Sequence, residues 1–202
     1  MIKSVHELLV MNAEAFLKLQ RDDGSFPPGH NGPYYDEELP IRNTGHVVIL
    51  MLKAYEITQE KKFLDSASKA IAYCLRDEFR PMGATFWVRK NPKFDFCNGL
   101  IGQAWMCEAL IYAYKHLNEE RLLSLSKKII KMHPFNEKRG LWRCVNVDGS
   151  YSIIDSTFNH QLWFAAIASY IDDEDIGRQV KRFMDKICDN LGIYRQGLII
   201  HP

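Results

Sequence analysis

The sequence repeats itself at a nearly constant period, and this period limits the possible folds more than any other feature. A glycine followed closely by an aromatic residue recurs at Gly24, Gly83, Gly140 and Gly192, with spacings of 59, 57 and 52 residues. A small residue followed by tyrosine keeps a similar offset, at Ala54-Tyr55, Ala113-Tyr114 and Ser169-Tyr170. Two independent markers with one period predict a chain of stacked supersecondary units.

Hydrophobic patterning divides each period into two helices of different character. Four segments are amphipathic: 5–19, 60–78, 119–133 and 173–191. Three are apolar on nearly every side: 46–57, 99–117 and 160–171. Because a helix that is apolar all round must be covered all round, these three are predicted to form an inner row and the amphipathic helices an outer row.

The predicted fold is therefore all-α, an α/α-toroid-like series of about three and a half helical hairpins. The single domain divides into repeats of about 1–58, 59–117, 118–171 and 172–202. Six such hairpins need about 340 residues, whereas the chain has 202. The sequence thus predicts either the N-terminal part of a longer toroid or an (α/α)6 barrel completed by a second copy. Open flanks at 47–52 and 162–171 predict self-association as a homodimer.

Charge and cysteine content exclude several classes of protein. The chain has 26 basic and 25 acidic residues and a net charge of +1, so neither nucleic acid nor an anionic membrane is an expected partner. No stretch is long enough to span a bilayer, and the N-terminus has the pattern of an amphipathic helix rather than of a signal peptide. The five cysteines form no CxxC pair, which predicts reduced thiols and a cytoplasmic location.

The connections between the predicted helices are of two kinds. Those from inner to outer helices are short, whereas those from outer to inner helices are long and rich in glycine, proline and aromatic residues. Loops of such length in compact domains are usually functional or disordered. All of them lie at the end where the inner helices begin, which we call the mouth. Free N–H groups of the inner helices converge there, and they favour a carboxylate, sulfate or phosphate.

Polar residues collect at these junctions between outer and inner helices. They are Arg42, Asn43 and His46 in the first hairpin, Asp95 and Asn98 in the second, and Asp155, Asn159, His160 and Gln161 in the third. Helix capping alone can explain Asn43, Asn98 or Asp155. Capping cannot explain His160 or Gln161, which interrupt an apolar helix, although a histidine in such a place can also be a satisfied core residue.

Three segments at these places carry a family resemblance: QRDDGSF at 20–26, DFCNGLIGQAW at 95–105 and DSTFNHQLW at 155–163. They resemble six-hairpin glycosidase-like α/α toroids and, more narrowly, toroid proteins encoded in surface-polysaccharide and protein-glycosylation clusters. The resemblance implies a carbohydrate-active protein, with uronyl hydrolases, epimerases and lyases among its relatives. No cofactor is expected, and no grouping of Cys and His predicts a metal site.

The predicted chemistry is acid and base catalysis on a glycosidic bond or an adjacent sugar carbon, with Asp95, Asp155 and His160 as catalytic residues. Burial beside aromatic residues should raise the pKa of one carboxyl group while the other stays ionised. The two carboxyl groups should face one cavity within about 10 Å of each other. The predicted substrate-binding residues are Arg42, Asn43, His46, Trp87, Asn98, Asn159, Gln161 and Trp163. Aromatic packing is the alternative role for the tryptophans.

Two other classes of function fit the same pattern. A non-catalytic helical repeat could present a concave surface to a glycan or to another protein. An isoprenoid-type toroid would instead need an apolar pocket at the mouth. A pocket lined by carboxylates, amides and histidine would count against that second alternative.

Overall fold

Two rows of helices make up most of the computed structural model, which describes residues 4–31, 36–37, 39–83, 85–89 and 96–190. The described helices are α1 Val5–Leu17, α2 Pro40–Thr58, α3 Lys61–Cys74, α4 Gly99–Leu117, α5 Glu120–Met132, α6 Phe158–Ala168 and α7 Glu174–Asn190. The described strands are β1 His30–Asn31, β2 Asp36–Glu37, β3 Phe135–Asn136, β4 Leu141–Val145 and β5 Tyr151–Ile154. One 3₁₀ turn spans Asp77–Phe79.

Helices α2, α4 and α6 form the inner row, in which α4 packs between the other two. Each inner helix also packs against the outer helix that follows it, so that α3, α5 and α7 cover α2, α4 and α6. The outer helices α3 and α5 bury one side only, as their amphipathic sequences require. The predicted alternation of outer and inner helices is therefore confirmed.

Helix boundaries agree with the prediction at α4 and differ at α2. Helix α4 spans Gly99–Leu117, the range that the apolar pattern predicts. Helix α2 begins at Pro40, six residues before the predicted start at His46, and places Arg42 and Asn43 in its first turn. Proline is well suited to a first turn because its missing N–H would have no partner there. The divisions between the repeats stay a prediction.

A glutamine in α4 and another in α6 each hydrogen-bond the backbone of an aromatic residue from the repeated glycine-aromatic motif. The side-chain oxygen of Gln103 accepts a hydrogen bond from the Phe86 N–H at 2.8 Å, and its amide nitrogen donates to the Phe86 carbonyl at 2.9 Å. Gln161 makes the same two bonds to the backbone of Trp142, at 3.0 and 2.9 Å. The side chains of Phe86 and Trp142 are both fully buried.

The first repeat uses a shorter side chain for the same purpose. The Thr44 hydroxyl accepts a hydrogen bond from the N–H of the buried Phe26 at 3.0 Å and donates to the Pro40 carbonyl at 2.7 Å. Gly24, just before this aromatic residue, has a φ of 90°, and a Cβ there would lie 2.4 Å from the Lys69 carbonyl oxygen. The glycine in the motif is thus required by a turn, and the aromatic residue by the core.

The long connections at the mouth contain two small antiparallel sheets, which the sequence did not predict. Strands β1 and β2 pair in the first connection. Strands β3, β4 and β5 form a three-stranded sheet in the third, with an irregularity between Arg143 and Val145. This second sheet leads the chain from the core at Trp142 to Asp155, immediately before α6.

Large apolar side chains are exposed on α1, the first helix of the outer row, and on α6, the last helix of the inner row. They are Val5, Leu8 and Met11 on α1, with Leu162 and Trp163 on α6. Of the two flanks predicted to be open, 162–171 does expose Leu162 and Trp163, whereas 47–52 is mostly buried, with Val48, Met51 and Leu52 at 0% exposure. The prediction of an open flank at 47–52 is therefore wrong, and self-association stays a prediction. Among the helices that the structure describes, none combines the length and the apolar character needed to cross a membrane.

His133, directly after α5, is a buried histidine whose titration should control stability. It is 2% exposed, packs against Phe164, and its Nδ1 lies 2.8 Å from the Ile129 carbonyl oxygen, to which it donates. Burial lowers the pKa of His133 from 6.5 to about 4. The native state therefore favours the neutral ring, and stability is lost as the pH falls below the unfolded-state value and through the native one.

Comparing the wild type with His133→Phe isolates this contribution. We expect the free energy of unfolding of the wild type to fall, relative to the variant, by about 2 kcal/mol between pH 7 and pH 5. Urea unfolding at the two pH values measures the difference, since other titrating groups contribute equally to both proteins. Parallel pH profiles would contradict the assignment.

Candidate functional site

A cavity of about 230 Å³ lies at the mouth, where α4 and α6 begin. Its lining comes from the second and third hairpins. The residues are Arg89, Asn98, Gly99, Cys144, Ser152, Asp155 and His160. Three sequence-predicted site residues, Asn98, Asp155 and His160, are thus brought together at the predicted end of the molecule.

Asp155 and His160 form a hydrogen-bonded pair in this cavity. The Nδ1 atom of His160 lies 2.8 Å from one carboxylate oxygen of Asp155, and the other oxygen accepts a hydrogen bond from the Thr157 N–H at 3.0 Å. The backbone of Asp155 is also held, because its carbonyl accepts from the side-chain amide of Gln161. The side-chain carboxylate and the backbone carbonyl of Asp155 are therefore both held in place relative to α6.

The protonation of this pair follows from the carboxylate. Burial opposes ionisation of Asp155, but hydrogen bonds from His160 and Thr157 outweigh it and hold the pKa of the carboxyl group below its usual value. An ionised carboxylate can only accept, so the proton between the two residues belongs to Nδ1 of His160. In the neutral ring, Nε2 is then the nitrogen able to accept a proton.

Asn98 and Arg89 form a second pair in the same cavity. The Asn98 side-chain oxygen accepts a hydrogen bond from Arg89 Nη1 at 3.2 Å. Asn98 precedes α4 but makes no side-chain capping bond, and it has a φ of 53°, in the left-handed region. Gly99, the first residue of α4, has a φ of 58°. The Asn98 side chain therefore does not cap α4, and capping does not explain this residue.

The inner row places a cluster of predicted binding residues around Trp105, which we call the Trp105 cluster: Arg42, His46, Trp105 and Trp163. The Arg42 guanidinium lies 4.4 Å from the Trp105 ring centroid, and the ring centroids of His46 and Trp163 lie 5.1 and 6.3 Å from that of Trp105. Trp163 is 42% exposed and donates from Nε1 to a Glu108 carboxylate oxygen at 3.1 Å.

The charges in this region affect one another. Burial lowers the pKa of Arg42, and the positive charge of Arg89 lowers it further. Burial and the charge of Arg42 likewise lower the pKa of His46. The positive charge of Arg42, in the Trp105 cluster, and that of Arg89, at the mouth, therefore act on each other.

The remaining predicted residues lie in other surroundings. Asn43 donates to the Pro27 carbonyl at 2.7 Å, and Trp87 donates from Nε1 to the Arg89 carbonyl. Asn159 is exposed at the start of α6. Gln161 is buried, with its amide bonded to backbone atoms of Trp142 and Asp155. Asp95 lies outside the described residues.

Sequence reasoning missed Arg89, Cys144 and Ser152, all of which line the cavity. Arg89 comes near Asn98 because its own N–H donates to the Phe96 carbonyl at 3.1 Å, a pairing that the sequence pattern does not indicate. Cys144 and Ser152 lie on β4 and β5, in a sheet that the sequence did not predict. The part of the chain that the structure describes contains no group of three or more His, Cys, Asp or Glu side chains that could hold a metal ion.

Solved structures define the class of fold to which this arrangement belongs. D-mannose isomerase matches with a TM-score of 0.75 at 14% identity, over 97% of this chain and 56% of that protein. Cellobiose 2-epimerase from Bacillus thermoamylovorans matches with a TM-score of 0.69 at 16% identity, over 94% and 57%. The chain therefore has the fold of part of an α/α toroid, as the sequence predicted.

In sequence, the chain is similar to Archaeal glycosylation protein Q of Haloferax volcanii, with 45% identity over 202 residues. The match covers 98% of this chain and 54% of that protein, so the chain spans about half the length of the curated relative. No protein-family model matches the sequence.

Proposed function

We propose that this chain acts on a carbohydrate by moving a proton at a carbon next to the sugar carbonyl, as an isomerase or epimerase does. The observation that carries the proposal is the contact between the ionised Asp155 and Nδ1 of His160, which leaves Nε2 of His160 as a base in the cavity at the mouth. The names of two proteins with the same fold, a mannose isomerase and a cellobiose 2-epimerase, support this class of reaction.

The residues divide the work as follows. His160 takes the proton from carbon and returns it, while Asp155 holds the ring orientation and stabilises the imidazolium that forms. The Trp105 cluster supplies aromatic surfaces for a sugar ring and, through Arg42, a positive charge for a uronate carboxylate. The similarity to a protein named for glycosylation supports a glycan as the substrate class, and we propose an oligosaccharide that contains a uronate.

Hydrolysis of a glycosidic bond is the second candidate, with Asp95 and Asp155 as paired carboxylates. The lowered pKa of Asp155 fits the member of such a pair that stays ionised. This mechanism requires Asp95, whereas proton transfer by His160 does not. Asp95→Asn therefore separates the two candidates, because it should abolish hydrolysis and leave proton transfer active.

Solvent deuterium tests the proposal directly. The chain is incubated in D₂O with mannose, glucose, cellobiose, glucuronate and galacturonate, each in a separate sample. We expect proton NMR to show loss of the signal from hydrogen on the carbon next to the carbonyl in at least one of these sugars, with formation of an epimer or isomer. The imidazole of His160 can exchange its proton with solvent between removal and return, so deuterium enters the product.

The control is His160→Gln, which should exchange the proton at least about 100-fold more slowly than the wild type. Absence of exchange with every sugar, together with release of reducing ends from a uronate oligosaccharide, would favour hydrolysis instead. Sugar binding by calorimetry without any turnover would indicate the non-catalytic alternative.

A further inference from the structure

We infer that Arg89, positioned with Asn98, stabilises the negative charge that develops on the sugar oxygen when His160 removes the proton. This inference rests on the proposed function and adds a catalytic role for a residue that the sequence pattern did not indicate. Arg89 lines the same cavity as His160 and Asp155. A base and a fixed positive charge thus share one cavity at the mouth.

The surroundings of Arg89 suit such a role. Its side chain is 7% exposed, so its charge acts in a region from which most water is excluded. The hydrogen bond from Arg89 Nη1 to the Asn98 side-chain oxygen, at 3.2 Å, holds the two groups together before any substrate binds. Buried donors that are already oriented stabilise developing charge more strongly than mobile donors in water.

The backbone conformation of Asn98 supports the same inference. A non-glycine residue with a φ of 53° is uncommon, although asparagine tolerates this region better than most. Local strain of this kind is often found where a side chain must be held for function. Because the Asn98 oxygen accepts from Arg89, the N–H donors of its amide remain as the part of the group that can donate to a ligand.

The chemical step balances without a further reactant. His160 Nε2 forms a bond to the hydrogen on the carbon next to the carbonyl, and the C–H electron pair becomes a carbon–carbon double bond. The carbonyl electron pair moves to its oxygen, which becomes negatively charged and accepts hydrogen bonds from Arg89 and Asn98. Return of the proton by His160 to the neighbouring carbon, with transfer of the adjacent hydroxyl proton to the charged oxygen, gives the isomer. The epimer forms when the intermediate turns its other face to His160 before the proton returns to the same carbon.

The test compares wild type, Arg89→Gln and Arg89→Lys in the deuterium exchange assay. We expect Arg89→Gln to lower kcat by about 100- to 1,000-fold and to change KM little, since the bound sugar carries no such charge until the proton leaves. Arg89→Lys should recover part of the rate, because it keeps the positive charge but loses the planar geometry.

A binding measurement separates this role from a structural one. A five-carbon sugar hydroxamate resembles the planar charged intermediate, whereas the corresponding sugar alcohol does not. Arg89→Gln should weaken hydroxamate binding by about 100-fold and leave binding of the alcohol nearly unchanged. Equal loss of both ligands, or exchange at the wild-type rate, would overturn the role of Arg89 alone.

A second variant covers the case in which Arg89→Gln does not fold. Asn98→Gly removes the amide while glycine accepts the positive φ, and we expect it to lower kcat by at least about 10-fold with the melting temperature nearly retained. Wild-type kcat in a folded Asn98→Gly protein would count against the inference. If the wild type itself exchanges no proton, the proposed function fails and this inference fails with it.

Discussion

Replacing His160 with glutamine is expected to lower the rate of proton exchange by about 100- to 10,000-fold, because general base catalysis contributes on this scale. The His160 side chain is half-buried, is bonded to the Asp155 carboxylate and otherwise lines the cavity at the mouth, so the fold should survive the change. The rate is measured by proton NMR in D₂O, and circular dichroism confirms folding. A folded His160→Gln protein that keeps more than a tenth of the wild-type rate would show that another group is the base.

Asp155→Asn is the matched variant for the same prediction. The amide can donate as well as accept, so it no longer requires the proton on Nδ1 of His160, and the ring can present the protonated Nε2 to the substrate. We expect a large loss of kcat with a small change in KM, the signature of a positioning residue. Since the pKa of Asp155 is held below its usual value, this carboxylate stays ionised throughout an assay between about pH 5 and 9.

Trp142→Ala is expected to lower the free energy of unfolding by about 3–5 kcal/mol, the usual cost of truncating a buried large aromatic residue. Trp142 is 0% exposed, and its ring lies 4.9 to 5.4 Å from the rings of Phe135, Phe164 and Phe183. Its Nε1 donates to Gln179 at 3.0 Å. The substitution therefore removes contacts among β3, α6 and α7 at once.

Urea unfolding of Trp142→Ala and of the control Tyr151→Ala measures this effect. Tyr151 lies on the neighbouring β5 and is exposed, so its truncation should cost less than about 1 kcal/mol. Trp142→Phe should fall between the two, because it keeps an aromatic ring and loses the bond to Gln179. A loss below 1 kcal/mol for Trp142→Ala would show that the third hairpin unfolds separately from the rest.

The row of alternating helices was predictable because its causes are local and repeated. Helix α4 is apolar along its length and is bounded by asparagines at 98 and 118, so its limits can be read from the sequence. The start of α2 could not be read from the sequence, because Arg42 and Asn43 are polar like residues of a loop. Their place inside the helix depends on Pro40 and on the backbone of Pro27, to which Asn43 donates.

The candidate site was predictable only in part. His160 and Gln161 were singled out by one argument, as polar residues in an apolar helix, yet His160 lines the cavity and Gln161 bonds the backbone of Trp142. The signal that separates them is in the repeat: Gln103 stands at the corresponding place after Phe86, whereas Gly102 stands where His160 would be expected. Arg89 gives no such signal, because its contact with Asn98 depends on a backbone hydrogen bond to Phe96 that no sequence pattern indicates.

The glutamine and threonine bonds to the repeated aromatic residues also bear on how such proteins diversify. The two residues of each bonded pair are 18, 17 and 19 positions apart in the sequence. The pairs are Phe26 with Thr44, Phe86 with Gln103, and Trp142 with Gln161. Each connection is thus anchored at both ends, and its middle can gain or lose residues without disturbing the helices. Grafting a foreign connection between two such anchors is a practical route to new ligand specificity on an unchanged frame.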